Sequence, residues 1–236
     1  MVTVSDSNEP AAGSQIGTVD MNRSMLARHD RKATLMRSHF EATNTFVINL
    51  VSGPGSGKTT LLTEVLAAFP DHGLTAAALV GDCATDNDAK RLAASGAPVR
   101  QIVTEGMCHL EVTMIDAHIE GWDLDRTDVL FIENVGNLVC PAAFDLGESI
   151  RIVMLSVTEG EDKPLKYPQI FSTADLIVIT KLDLAGPCEF DREKAYEAIR
   201  NSNPDLPILE TSKNDPASVN ELIGWIAERR AEHFSA

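Results

Sequence analysis

The chain has 236 residues, of which 44% are hydrophobic and 5% aromatic, and carries a formal net charge of −15. That length buries a full core in one medium-sized domain, while the acidic balance excludes the basic face that binding to nucleic acid or an anionic membrane requires. No apolar run approaches the roughly 18 residues of a membrane span, and MVTVSDSNEPAAGSQIG lacks the basic start and apolar middle of a secretory signal, so a cytoplasmic location is expected.

Residues 1–17 are small and polar and are expected as a disordered tail. Residues 18–44 read as a leading helix: Val19 to Phe40 contains no Gly or Pro, and Met21, Met25, Leu26, Leu35, Met36 and Phe40 recur at loosely helical spacing. A repeating pattern follows. Apolar strands are expected at 45–51, 75–81, 128–135, 151–158, 176–182 and 206–211, and 98–104 is a shorter apolar run. Helices are expected at 58–68, 86–96, 108–121, near 190–202 and at 217–233, the last with Val219, Leu222, Ile223 and Ile226 inward. Continuous apolar strands alternating with helices indicate a single α/β domain over 45–236, with a mostly parallel sheet covered by helices on both faces.

The strand at 45–51 runs directly into SGPGSGKTT (52–60) and then a helix. Strand, glycine-rich turn and helix are the context of a P-loop NTPase. Backbone N–H groups from Gly53, Gly55, Ser56, Gly57 and Thr60 close around phosphate oxygens, aided by the positive end of the helix. Lys58 reaches the β and γ phosphates and the Thr59 hydroxyl ligates Mg2+. Ser52 stands where the G-x-x-x-x-G-K-[ST] pattern has its first glycine; Gly53 and Gly55 beside it still allow the turn. Glu133, closing the strand at 128–135 and followed by Gly136, has the spacing of the D-x-x-G element of GTPases and supplies a second acid. Asp82 is a further catalytic candidate, whereas Asp86 and Asp88 read as helix caps.

LIVITKLD (176–183) ends a strand with Thr180, Lys181 and Asp183 and is similar to the guanine-reading N-K-x-D element, with Thr in place of Asn. An acid at Asp183 accepts hydrogen bonds from guanine N1–H and its amine, which adenine does not offer. ETSKND (210–215) places Thr211, Ser212 and Lys213 where a base-closing S-A-K loop would lie. The combination favours GTP over ATP.

Four cysteines, Cys83, Cys108, Cys140 and Cys188, are widely scattered, which favours free thiols or metal ligands over disulfides. Cys108 and His109 open the helix expected at 108–121, and Cys140 lies just beyond the E-x-x-G element. Thiolates with an imidazole suit Zn2+ or Ni2+, but three ligands leave a tetrahedron open for a water, a second subunit, His118 or Cys83. The same residues also read as small buried hydrophobes beside a capping histidine, and spacing alone does not separate the two.

ENVGNLVCP, GDCATDNDAKRL, GMCHL and SVTEGEDKPLKYP together resemble the hydrogenase nickel-incorporation GTPase family HypB, related to the urease accessory GTPase UreG, from about residue 20 to the C-terminus. The resemblance implies a slow GTPase that loads nickel into the [NiFe]-hydrogenase large subunit with the accessory protein HypA. It also implies a Ni2+ or Zn2+ site of Cys108, His109 and Cys140 at the interface of a GTP-dependent homodimer. Residues 1–44 contain no cysteine and only His29 and His39, so the N-terminal nickel motif of many members is not expected. Lys163 and Lys166 read either as phosphate contacts across the dimer or as a solvated loop. Two other readings stay open. A urease-type GTPase carries C-P-H rather than contiguous C-H, and a P-loop ATPase or kinase with a structural zinc would prefer adenine.

Overall fold

The computed structural model describes residues 14–82 and 87–235, with side chains from residue 28 onward. Residues 1–13 of the expected tail, Cys83 and Asp86 lie outside the described residues, as do the side chains of Met21, Met25 and Leu26. Seven of the apolar runs become strands: β1 Phe46–Ser52, β2 Ala76–Asp82, β3 Val99–Val103, β4 Val129–Glu133, β5 Ile150–Ser156, β6 Leu176–Thr180 and β7 Ile208–Glu210. They pair in one parallel sheet in the order β3-β2-β4-β1-β5-β6-β7. Every residue of β1, β4, β5 and β6 is buried, because helices cover both faces and leave no solvated side for polar alternation. Strand order reverses direction at β1, and open α/β sheets place their ligand crevice at the carboxyl end of such a switch point.

Eight helices accompany the sheet among the described residues: α1 Ser14–Ala42, α2 Lys58–Ala68, α3 Asn87–Ala93, α4 Val112–Ile119, α5 Lys163–Lys166, α6 Pro168–Ser172, α7 Arg192–Ser202 and α8 Pro216–Ser235. On one face, Leu62 and Leu66 of α2 and Leu222, Ile223 and Ile226 of α8 pack on Ile48 and Leu50. On the other, Met36 and Phe40 of α1 and Ile115 of α4 pack with Val47, Leu79 and Ile132. Beyond them, Ile170, Phe171 and Ile199 from α6 and α7 cover Val51, Val153 and Ile177. Alternate residues of β1 thus feed opposite layers, as the period of two in a strand requires. No described helix is long and apolar enough to cross a membrane.

The leading helix docks on the domain. Met36 and Phe40 are buried, whereas Leu35 is 72% exposed. Arg37 donates to both oxygens of Asp145, at 2.6 and 2.8 Å. Gly147, at φ +80°, lets the turn after Asp145 approach so closely that a Cβ there would lie 2.9 Å from the Ala33 carbonyl oxygen.

Two expectations are corrected. The helix expected from Cys108 begins only at Val112, so Cys108 and His109 sit on a loop. Glu105 and Gly106 turn the chain at φ +52° and +92°. The Leu110 N–H then donates to Asn134 Oδ1 at 3.1 Å, and the Cys108 carbonyl accepts from Asn137 Nδ2 at 3.3 Å. Tertiary partners therefore take the backbone groups that a helix would need. The short α5 and α6 arise in a stretch without expected structure, each with proline in its first turn, where its missing N–H costs nothing.

Candidate nucleotide and metal sites

β1 ends on the wholly buried Ser52, and the chain turns through Gly55 and Gly57, at φ +72° and +97°, before α2 starts at Lys58. Left-handed backbone at both positions costs least without a Cβ. A cavity of about 440 Å3 opens here, lined by Lys58, Thr59, Asp82, Asp88, Glu133 and Lys181 among others. Two further glycines allow close packing around it. A Cβ on Gly136 would lie 2.9 Å from Pro54 Cα, so the E-x-x-G segment rests on the P-loop backbone. A Cβ on Gly53 would lie 2.0 Å from Glu159 Oε1.

Ser52 shows how the departure from the glycine pattern is accommodated. Its hydroxyl donates to the Gly53 carbonyl at 2.8 Å, contacts Ser56 Oγ, and accepts from Lys58 Nζ at 2.8 Å. The Lys58 ammonium is buried, and that burial lowers its pKa against the attraction of Glu133. Thr59 Oγ1 donates to Glu133 Oε1 at 2.7 Å, while Glu133 Oε2 is buried without a hydrogen-bond partner. Burial pushes the Glu133 carboxyl up to about 7, against the Thr59 hydrogen bond and the Lys58 charge. An orphaned carboxylate oxygen beside a P-loop hydroxyl fits a hard divalent cation such as Mg2+, which takes oxygen ligands.

On the far side, Thr180 Oγ1 donates to the Ser56 carbonyl at 2.8 Å, and Lys181 Nζ donates to the Gly55 carbonyl at 2.6 Å. Thr180 therefore ties the β6 end to the P-loop, where the related motif has Asn. Asp183 is exposed and its Oδ1 accepts from Ser212 Oγ at 3.0 Å. Lys213 follows, exposed. The cavity walls include Lys181 but not Asp183, Ser212 or Lys213.

The Cys108–His109 loop meets the segment after Glu133. One ligand atom each from Cys108, His109 and Cys140 lies within 4.8 Å of the others, the one such group among the described residues. The two sulfurs are 2.6 Å apart, and Cys108 Sγ is 3.7 Å from His109 Nδ1. The His109 ring stacks on Phe144 at 3.9 Å between centroids and 20° between planes. Burial lowers its pKa, favouring the neutral imidazole that a metal needs. Its Nε2 is buried without a hydrogen bond. His118 is not in the group: its Nδ1 pairs with the Met114 carbonyl at 2.8 Å. Lys166 pairs with Asp162, and Lys163 lies 5.7 Å from the Tyr167 ring centre.

Several contributors escaped the sequence pattern. Asp88, read there as a cap, stands in the first turn of α3 and also lines the P-loop cavity together with Arg91, whose Nη2 donates to Thr60 Oγ1 at 3.2 Å. Phe144 stacks on His109, and His29 packs edge-on against Phe144 with 5.0 Å between ring centroids. A D-x-x-x-x-x-D spacing from Asp82 to Asp88 was the available signal for the acid; no local pattern announces Phe144.

Residues 46–210 match the family model described as CobW/HypB/UreG, nucleotide-binding domain. The hydrogenase maturation factor HypB of Azotobacter chroococcum is 44% identical over 223 residues, covering 94% of this chain and 73% of that protein. The hydrogenase/urease maturation factor HypB of Helicobacter hepaticus is 41% identical over 216 residues, covering 90% and 88%. The crystal structure of HypB from Helicobacter pylori in complex with nickel superposes with a TM-score of 0.83 at 39% identity, covering 88% of this chain and 97% of that one.

Proposed function

Because the chain belongs to the HypB branch of the CobW/HypB/UreG family of P-loop proteins, we propose that it is a metal-regulated GTPase that delivers nickel during [NiFe]-hydrogenase maturation. One observation carries the reading: the phosphate-site carboxylate Glu133 and the thiol of Cys140 lie on a single short segment, held against the P-loop at Gly136. Whatever moves that segment changes both sites.

GTP enters with its phosphates on the N–H groups of 53–60, and Lys58 exchanges its bond to Ser52 Oγ for the β and γ oxygens. Thr59 and Glu133 would hold Mg2+, which when bound offsets phosphate charge. Asp82 orients the attacking water. Asp183, positioned by Ser212, reads guanine, and Lys213 closes beside it. A γ phosphate draws the Gly136 backbone toward it and shifts Cys140 relative to Cys108 and His109. Nickel is the cargo. Three donors leave its coordination open, and a second copy of the chain in the GTP-bound homodimer completes or alters it. Hydrolysis relaxes the segment and releases Ni2+ toward the hydrogenase large subunit, with HypA as the accessory protein.

The test is Ni2+ titration of the GTP- and GDP-bound protein, paired with hydrogenase maturation in a deletion strain complemented with Lys58→Ala or Cys108→Ala. The reading expects different Ni2+ affinities in the two states and no maturation by either variant. Equal affinities, together with full maturation by both variants, overturn it.

A further inference from the structure

Asn134 directly follows Glu133 and is 2% exposed. A buried carboxamide costs free energy unless its donors and acceptor are matched. Asn134 Oδ1 accepts the N–H of Leu110 at 3.1 Å and that of Val135 at 3.0 Å, and Nδ2 donates to Asn49 Oδ1 at 3.2 Å. Asn49, wholly buried in β1, donates through Nδ2 to Glu148 Oε1 at 3.0 Å. The same Glu148 oxygen accepts from Arg151 Nε and Nη2 at 3.1 and 2.7 Å, and Arg151 Nη2 also donates to the Phe144 carbonyl at 3.0 Å. The Phe144 ring is the one stacked on His109.

The hydrogen bonds, closed by the stack of Phe144 on His109, thus form a circuit. It leaves the backbone beside His109, crosses β4, β1 and β5, and returns to the His109 ring. Asn134 is the member that also borders the phosphate cavity. A layer otherwise filled by Val47, Leu79, Leu130 and Ile132 has no packing need for amides, and a satisfied polar network holds one geometry more sharply than interchangeable apolar contacts do.

We propose that Asn134 is a positioning residue that couples the two sites, clamping the Cys108–His109 loop to the end of β4. A displacement of Glu133 by phosphate then reaches His109 by two arms, through Leu110 and through Phe144. This rests on the reading above of a nickel site gated by GTP.

Coupling is a ratio of affinities and is reciprocal, so it is measured directly. The affinity of a non-hydrolysable GTP analogue is determined without and with saturating Ni2+, on the full chain and on Asn134→Ala. The full chain is expected to show a ratio of about fivefold or more. Asn134→Ala is expected to reduce the ratio to near one, whatever it does to either affinity alone. A variant ratio equal to that of the unsubstituted chain overturns the relay while leaving the gated reading intact. A ratio of one in the unsubstituted chain overturns the gated reading and the relay with it. A second measurement needs no variant: hydrogen exchange at the Leu110 amide changes on binding the analogue if Asn134 transmits, and unchanged exchange overturns the proposal.

Discussion

The Thr59 hydroxyl donates to the Glu133 carboxylate at 2.7 Å, joining the first turn of α2 to the end of β4 across the P-loop cavity. The other Glu133 oxygen is buried and unpartnered, and burial holds the group at about 7 instead of its ordinary 4.5. The sign of the effect on stability follows. Below the ordinary value both folded and unfolded chains are protonated and Glu133 costs nothing. As pH rises toward 7 the unfolded chain releases its proton and the folded chain keeps it, so stability falls, by on the order of 3 kcal/mol above pH 7. Urea denaturation of the nucleotide-free, metal-free protein should therefore show a loss between pH 5 and pH 8 that Glu133→Gln largely removes. The same pH profile in both proteins would contradict the buried-carboxyl account.

Ser52 holds Lys58 in the nucleotide-free protein, and that bond must break when Lys58 turns to phosphate. Ser52→Gly restores the first glycine of the loop pattern and removes the competing acceptor. It should lower stability by about 1.5–3 kcal/mol, the worth of a hydrogen bond to a charged group, and raise GTP-analogue affinity severalfold. Fluorescence titration alongside thermal denaturation checks both, and an affinity that falls would show Ser52 to be needed in the bound state.

Asp183 and Ser212 meet at 3.0 Å outside the cavity walls that Lys181 lines. Hydrogen bonds to a charged group are worth about 1.5–3 kcal/mol, so Asp183→Asn should weaken GTP binding by about 10- to 100-fold and leave ATP binding unchanged. Calorimetry with both nucleotides decides. If the unsubstituted chain binds them equally, guanine reading at this position fails.

What the sequence disclosed follows the range of the chemistry. The P-loop and six of the seven strands were legible because phosphate binding is built from neighbouring residues and full burial writes itself as apolar runs, whereas the half-buried β3 read only as a short apolar run. The Cys108–His109 loop was mistaken for a helix because its backbone partners, Asn134 and Asn137, lie on another strand end and override local preference. Phe144 and Asn134 were invisible for the same reason, since each acquires its role only when β4 and the loop before α4 are brought together. Asp88 was read as a cap, and it stands both in the first turn of α3 and on the cavity wall, since one residue type serves both purposes.

Gly147 is where the leading helix gains its seat. An alanine there is strained at φ +80°, and its Cβ would also lie 2.9 Å from Ala33 O and 3.0 Å from both Arg37 N and Met36 Cβ, atoms of a helix that cannot yield locally. Gly121 offers the control: its φ is +70°, but nothing lies within 4 Å of an added Cβ. Gly121→Ala should cost about 1–2 kcal/mol, the left-handed penalty alone, whereas Gly147→Ala should cost clearly more and release α1 together with the Arg37–Asp145 pair. Because α1 also carries His29 against Phe144, which stacks on His109, that release should lower Ni2+ affinity at the Cys/His group, and Gly121→Ala should not. Denaturation and Ni2+ titration of the two variants check this; equal costs and equal Ni2+ affinities would mean that the docked helix supports neither the fold nor the metal loop.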